Sequence, residues 1–176
     1  MGCDIHLNLE YRGEAEGSNA EYEIVLTSDF HVGRAYGLFA ALAGVRNYWE
    51  TPVTYPPRGV PADVCAEIFE RYFVEVVPDK VPDNFYALAK ETMSVSQAAQ
   101  YPELERRERW GRRFVAESDY HHASHLTLAE AERALAAAEY AIEEGPVEFR
   151  MVMGFMRVID GEFGAGASRV VFWFDN

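Results

Sequence analysis

Apolar and polar residues alternate with a period of two from residue 3 to residue 11: Ile5, Leu7 and Leu9 fall on one side, Asp4, His6, Asn8 and Glu10 on the other. That period predicts a strand with one buried face. Gly, Glu, Ser and Asn over 12–20 predict a turn, and Glu-Tyr-Glu-Ile-Val-Leu at 21–26 a second strand. Over 34–43 the spacing becomes helical, with Leu38, Phe39 and Leu42 as the apolar stripe and Gly44 as the C′ residue. Pro52, Pro56, Pro57, Gly59 and Pro61 exclude a regular element over 45–61. A helix follows over 62–73, with Val64, Ile68 and Phe69 inward.

Pro78 and Pro82 break the chain again, and helical patterns over 83–93 and 94–110, interrupted near Pro102, predict an exposed excursion. Thr127 and Glu130 form a capping box, with Leu126 and Ala131 as its apolar staple. They open a helix whose core face is Leu128, Ala131, Leu135, Ala138 and Ile142, ended by Gly145. Another helix is expected over 147–159, with Val152, Phe155, Met156 and Ile159 on one side, then a loop around Gly161, Gly164 and Gly166. The aromatic and Val-rich run 169–174 predicts a closing strand. Strands at both ends with helices between them give an α+β fold. The expectation is one domain over 1–176 with one small mixed or antiparallel sheet containing both terminal strands, several packed helices, and a helical insertion at about 74–113.

Length and composition agree with a domain that folds on its own core: 176 residues, 49% hydrophobic. The net charge of −13 argues against non-specific nucleic-acid binding and against an anionic membrane surface. It leaves room for a basic protein as partner. One basic cluster stands apart: Arg106, Arg107, Arg109, Arg112 and Arg113. Cys3 and Cys65 have no CxxC spacing, and the pair suits a reducing compartment. The opening residues lack the basic and long apolar stretches of a signal peptide, His6 breaks a myristoylation motif begun by Gly2, and no apolar run is long enough for a membrane span. A cytoplasmic location is expected.

The chemistry-bearing pattern is Asp-x-His, which occurs as Asp4/His6, Asp29/His31 and Asp119/His121 and so takes in three of the five histidines. Two residues apart on a strand, an aspartate and a histidine point the same way. A carboxylate beside an imidazole is a ligand pair for a borderline divalent metal such as Zn or Mn. His122 and His125 lie beside the third triplet. Arg34, Tyr36, Arg46, Asn47 and Arg58 lie around the Pro-rich loop; if that loop covers the site, its arginines are candidates to hold a phosphate or carboxylate, and Arg46, Asn47 and Arg58 are the expected substrate-binding residues. The bland alternative is a charged pair on a solvated sheet face and a polar loop ahead of a helix. No Walker loop, GxGxxG or nucleophile elbow is present. Ser124 has no visible oxyanion partner, and Cys3 reads as a small core residue.

Several blocks stand in a specific order: Met-Gly-Cys-Asp-Ile-His at 1–6, Leu-Phe-Ala-x-Leu-Ala-Gly-Val-Arg-Asn at 38–47, Pro-Arg-Gly-x-Pro at 57–61, Asp-x-His-x-x-Ser-x-Leu-Thr at 119–127, and a closing Val-Phe-Trp-Phe-Asp-Asn. Together they resemble a family of uncharacterised bacteriophage and bacterial proteins. The resemblance implies a bacterial or phage-infected cytoplasm. It carries no assigned activity. The chain departs from that pattern at His122 and His125, where a small polar residue and a Trp are expected, which favours Asp4, His6, Asp119 and His121 over those two. The resemblance does not extend to 74–113.

Two functions are therefore expected. In the first, a metal-dependent hydrolase acts on a phosphoester or nucleotide: Asp4, His6, Asp119 and His121 hold the metal, Arg46, Asn47 and Arg58 orient the anion, and Asp119 or His121 moves a proton. In the second, a non-catalytic phage accessory protein sequesters a small nucleotide in an aromatic, Arg-lined pocket or blocks a basic host protein.

Overall fold

The computed structural model describes residues 2–13, 21–26, 30–79 and 92–175. The chain divides into two compact units, 1–68 with 121–176, and 69–120. The fold is α+β.

The first unit is built on a four-stranded sheet with the order β2-β1-β8-β7. Its strands are β1 (Asp4–Tyr11), β2 (Glu23–Ile24), β7 (His121–Thr127) and β8 (Ser168–Asp175). Both terminal strands are at its centre, antiparallel and in register from Asp4 opposite Asp175 to Tyr11 opposite Ser168. Ile5, Leu7 and Leu9 lie opposite Phe174, Phe172 and Val170 on one face. That face is the core, filled by Leu38, Phe39 and Leu42 of α1 (Tyr36–Ala43), Ala131 and Leu135 of α4 (Leu128–Ala137), and Phe149, Val152, Met153 and Met156 of α5 (Val147–Phe163). Each large side chain fully withdrawn from water there contributes about 1.5–3 kcal/mol.

The helix ends follow their local chemistry. Gly44 closes α1 in the left-handed region, φ 71°. Thr127 and Glu130 make the capping box of α4 in both directions, and Leu126 and Ala131 are both buried beneath it. That helix stops at Ala137, before Ala138 and Ile142, and a 3-10 turn occupies Ile142–Glu144. α5 runs on through Gly161 to Phe163. No regular element forms over 45–61. The second expected strand shrinks to Glu23–Ile24, and the turn over 12–20 lies largely outside the described residues.

The larger departure is at the expected helical insertion. The second unit holds its own four-stranded sheet, with the order β4-β3-β6-β5. It comprises β3 (Phe73–Val77), β4 (Thr92–Ser94), β5 (Arg106–Arg109) and β6 (Arg112–Ala116). Only α3 (Val95–Ala98) is helical between β4 and β6, opened by a Ser94–Gln97 capping box. The helix expected over 62–73 is α2 (Ala66–Tyr72), and Phe73 already starts β3. The run 94–110 is not helical past Ala98: Arg106–Arg109 pair with β6, and Trp110 and Gly111 both take positive φ, 53° and 70°. Two such residues in succession make the tight turn that matches the twist of a β-hairpin. Most of 83–93 lies outside the described residues, and its last two residues belong to β4.

Candidate functional site

The face of the first sheet opposite the core carries the polar alternation of β1. Register places Asp4 opposite Asp175, His6 opposite Trp173 and Glu10 opposite Arg169. At the Asp4 end these groups form one connected cluster. His6 Nε2 lies 3.2 Å from Asp175 Oδ2, with both side chains only part-exposed. The imidazole stacks on the buried Trp173 ring, centroids 5.5 Å apart and planes 14° from parallel. The other Asp175 oxygen accepts the Asp4 backbone N–H at 3.2 Å. The Asp4 carboxylate itself faces Arg34, which donates through Nε at 3.0 Å and Nη2 at 3.3 Å. Arg34, with a smaller contribution from His31 and His6, holds the Asp4 carboxyl below the usual carboxylate range.

Arg46 sits just past the cap of α1 with φ 52°. Its guanidinium acts on the buried Cys3 thiol as a nearby cation, and the thiol's pKa is nevertheless raised, because burial outweighs the cation. Beyond Arg34 runs an aromatic ledge. Tyr36 meets Tyr48 edge-on at 6.4 Å, and Tyr48 meets Trp49 at 6.1 Å. Tyr48 and Trp49 are about two-thirds exposed. One end of the sheet thus presents a histidine–aspartate pair, two arginines and open aromatic faces.

The other expected site residues are placed differently. His121 opens β7 opposite Phe174 and stacks on it, centroids 6.0 Å apart. Phe174 points to the core face, so His121 and His6 lie on opposite faces of the sheet. A bulge between His121 and Ser124 follows, with His122 at φ 51°, and the two neighbouring Nδ1 atoms are 2.7 Å apart. Asp119 is exposed in the turn before β7 and belongs to the second unit. Asn47 is engaged within its own loop, donating to the Thr51 carbonyl and accepting the Thr51 N–H, each at 2.8 Å. Arg58 is engaged too: it grips Glu130 with Nη1 at 2.9 Å and Nη2 at 3.0 Å and also bonds the His125 carbonyl.

His125 Nδ1 lies 3.1 Å from the Gly59 carbonyl, and burial pushes its pKa down. Ser124 is fully buried and accepts the Arg58 backbone N–H at 3.3 Å. Asp29, the partner of His31 in the remaining triplet, lies outside the described residues.

Among the described residues no group of three or more His, Cys, Asp and Glu is arranged to hold a metal ion. Asp4 is turned to Arg34 and His6 to Asp175. The described residues contain no helix long and apolar enough to cross a membrane. In the second unit a cavity of about 410 Å³ is lined by Val76, Ala98, Phe114, Arg106 and Arg113, none of them a residue of the sheet-end cluster.

Asp175 and Trp173 are the residues that the Asp-x-His pattern does not identify. Their signal is register: once the terminal strands are paired antiparallel, the end of one lies over the start of the other. No protein-family model, curated protein or solved structure matches the chain.

Proposed function

We propose that the protein binds a small phosphoester of the nucleotide type at the Asp4/His6/Asp175 end of the first sheet, and hydrolyses it there. The supporting observation is the His6–Asp175 contact at 3.2 Å. A carboxylate fixes the orientation of the imidazole and stabilises it when it gains a proton, which is what a general base requires. Stacking on Trp173 holds the ring in place. Arg34 and Arg46 supply positive charge for the phosphoryl oxygens, and the exposed Tyr48 and Trp49 rings offer stacking faces for a base.

A divalent ion at this end would draw on Asp4, His6 and Asp175, with Arg34 displaced from Asp4. His121 lies on the other face of the sheet, so at this end the acid–base role falls to His6.

The test is turnover of nucleoside phosphates and of nitrophenyl phosphate mono- and diesters, with and without Mg²⁺, Mn²⁺ and Zn²⁺. Hydrolysis lost in His6→Ala and Asp175→Asn, with folding intact, supports the reading. A nucleotide that binds and is recovered unchanged favours the sequestering alternative, for which the aromatic ledge and Arg34 suffice. Neither turnover nor binding rules out both.

A further inference from the structure

The hairpin of β5 and β6 inverts the charge of the chain around it. Residues 106–113 carry five arginines against one glutamate, in a protein of net charge −13. Not all five are available. Arg106 is spent on the backbone carbonyls of Ala98, Tyr101, Pro102 and Leu104. Arg107 is paired with Glu105 at 2.6 Å. The other three are different. Arg112 meets Glu75 at 3.1 Å in a pair whose arginine is mostly exposed, and such pairs exchange readily for another anion. Arg113 is exposed and has no hydrogen bond or ion pair among the described residues. Arg109 packs its guanidinium 4.7 Å from the Trp110 ring and 4.8 Å from Phe69, and its Nη1 is buried there with no hydrogen-bond partner among the described residues.

Trp110 is at the tip, one of the two positive-φ residues of the turn. It is 53% exposed, yet it is not loose. It stands edge-on to Phe69 at 5.5 Å and to Phe114 at 6.0 Å. A large planar side chain is thereby held open to solvent by an aromatic base, with a cation against it and two further cations in the next strand.

We propose that the β5–β6 hairpin binds single-stranded nucleic acid, with Trp110 stacking on a base, Arg109 holding the indole in place, and Arg112 and Arg113 meeting phosphates. An indole stacks on any base, and arginines track the backbone without reading sequence. An acidic peptide would satisfy the arginines and leave the exposed indole unused. A duplex would hide the faces that Trp110 needs. The acidity of the rest of the chain does not forbid this contact, because charges farther than about 8 Å are largely screened at physiological salt.

The experiment is fluorescence anisotropy of labelled oligothymidylate and oligouridylate, about twelve nucleotides long, titrated with the full chain between about 50 and 200 mM salt. Binding should weaken with salt, with a slope near −1.4 for two phosphates at about −0.7 each. Trp110→Ala should weaken it about tenfold or more, while Trp110→Phe keeps most of it. Arg113→Glu, at an exposed position, should abolish it with little change in the melting temperature. No binding at the lowest salt overturns the proposal, as does binding indifferent to both Trp110→Ala and Arg113→Glu. A polyglutamate peptide that displaces the oligonucleotide equally well, with no loss in Trp110→Ala, overturns it in favour of an acidic protein partner.

Discussion

Glu10 and Arg169 face each other across β1 and β8, and Arg169 Nε donates to Glu10 Oε1 at 2.5 Å with neither group open to solvent. The remaining polar atoms are largely occupied. The Cys65 backbone N–H donates to Glu10 Oε2 at 2.8 Å, and Asp63 takes Arg169 Nη1 at 2.9 Å. Tyr22 lies under the guanidinium, 3.6 Å from ring centre to carbon. Burial raises the Glu10 carboxyl despite the pull of Arg169 in the other direction.

Removing one partner should be costly, since it strands the other charge. Arg169→Met should therefore destabilise the protein by about 3–5 kcal/mol. Adding Glu10→Leu should restore a large part of that loss, because the stranded carboxylate goes with it. Urea denaturation of the two single variants and the double variant checks this. A double variant no better than Arg169→Met would show that the two residues are not coupled.

The Arg58–Glu130 pair gives a pH prediction. Arg58, helped by the Thr127 N–H and hydroxyl, holds the Glu130 carboxyl down to about 2 from an ordinary 4.5, while burial works the other way. A depressed carboxyl stabilises the fold above its unfolded value and loses that contribution as pH falls through its folded value. Arg58→Ala should cost about 1–2 kcal/mol at neutral pH, allowing for the partial exposure of the pair. Its penalty should shrink as pH drops from 4.5 toward 2. A penalty constant over that range in thermal melts would assign the effect of Arg58 to its stacking on Tyr55 at 5.5 Å instead.

The parts of the fold set by local rules were legible in the sequence. Alternation in β1, the Gly44 cap and the Thr127–Glu130 box each depend on residues within a few positions of one another. The hairpin at Trp110 was not legible, because Arg and Glu are good helix formers and Trp is not a usual turn residue. Its strand state comes from pairing with β3 through β6, a contact between residues far apart in sequence. At the candidate site the choice of Asp4 and His6 rested on the period of β1 alone. Their partners depended on register, which alternation does not specify: a shift of one residue would have placed Phe174, not Trp173, beside His6. The polar face of β1 was also expected to meet solvent. Asn8 and Glu10 are buried instead, which alternation cannot distinguish from exposure.

Gly44 offers a test of backbone strain. Its φ is 71°, and a Cβ there would come within 2.9 Å of Val53 Cγ2. A non-glycine residue in this conformation costs about 1–2 kcal/mol before any clash. Gly44→Ala should lose at least that much, and Val53→Ala in the same chain should relieve the steric part only. Equal stability of Gly44→Ala and the parent in denaturation curves would contradict the strained cap.

Neither cysteine should behave as a nucleophile. Burial pushes the Cys65 thiol up to about 12, and the Cys3 thiol is raised as well. Reaction requires the thiolate and access to it. In native protein at pH 8 both should resist a disulfide reagent such as dithiobisnitrobenzoate, and both should react at once in guanidinium chloride. Rapid native labelling of Cys3 would instead mean that Arg46 activates the thiol, and would bring Cys3 into the chemistry at this end of the sheet.

At the proposed site, Arg34 separates two kinds of ligand. It occupies both oxygens of Asp4, at 3.0 and 3.3 Å, in a contact that is about half exposed. A phosphate would compete with Asp4 for the guanidinium, whereas a divalent cation would compete with Arg34 for the carboxylate. The two cases respond oppositely to one substitution. In the phosphoester reading, Arg34→Ala removes a charge-assisted donor and should weaken binding of a nucleoside monophosphate about tenfold. The Asp4 carboxyl should at the same time titrate higher, since its main lowering partner is gone. Calorimetry with the nucleotide and with Mn²⁺, on the parent and on Arg34→Ala, separates the outcomes. Weaker nucleotide binding in the variant is the expected result. Unchanged nucleotide binding together with tighter Mn²⁺ binding would mean that Arg34 is a placeholder for a cation, and that the site is a metal centre built on Asp4.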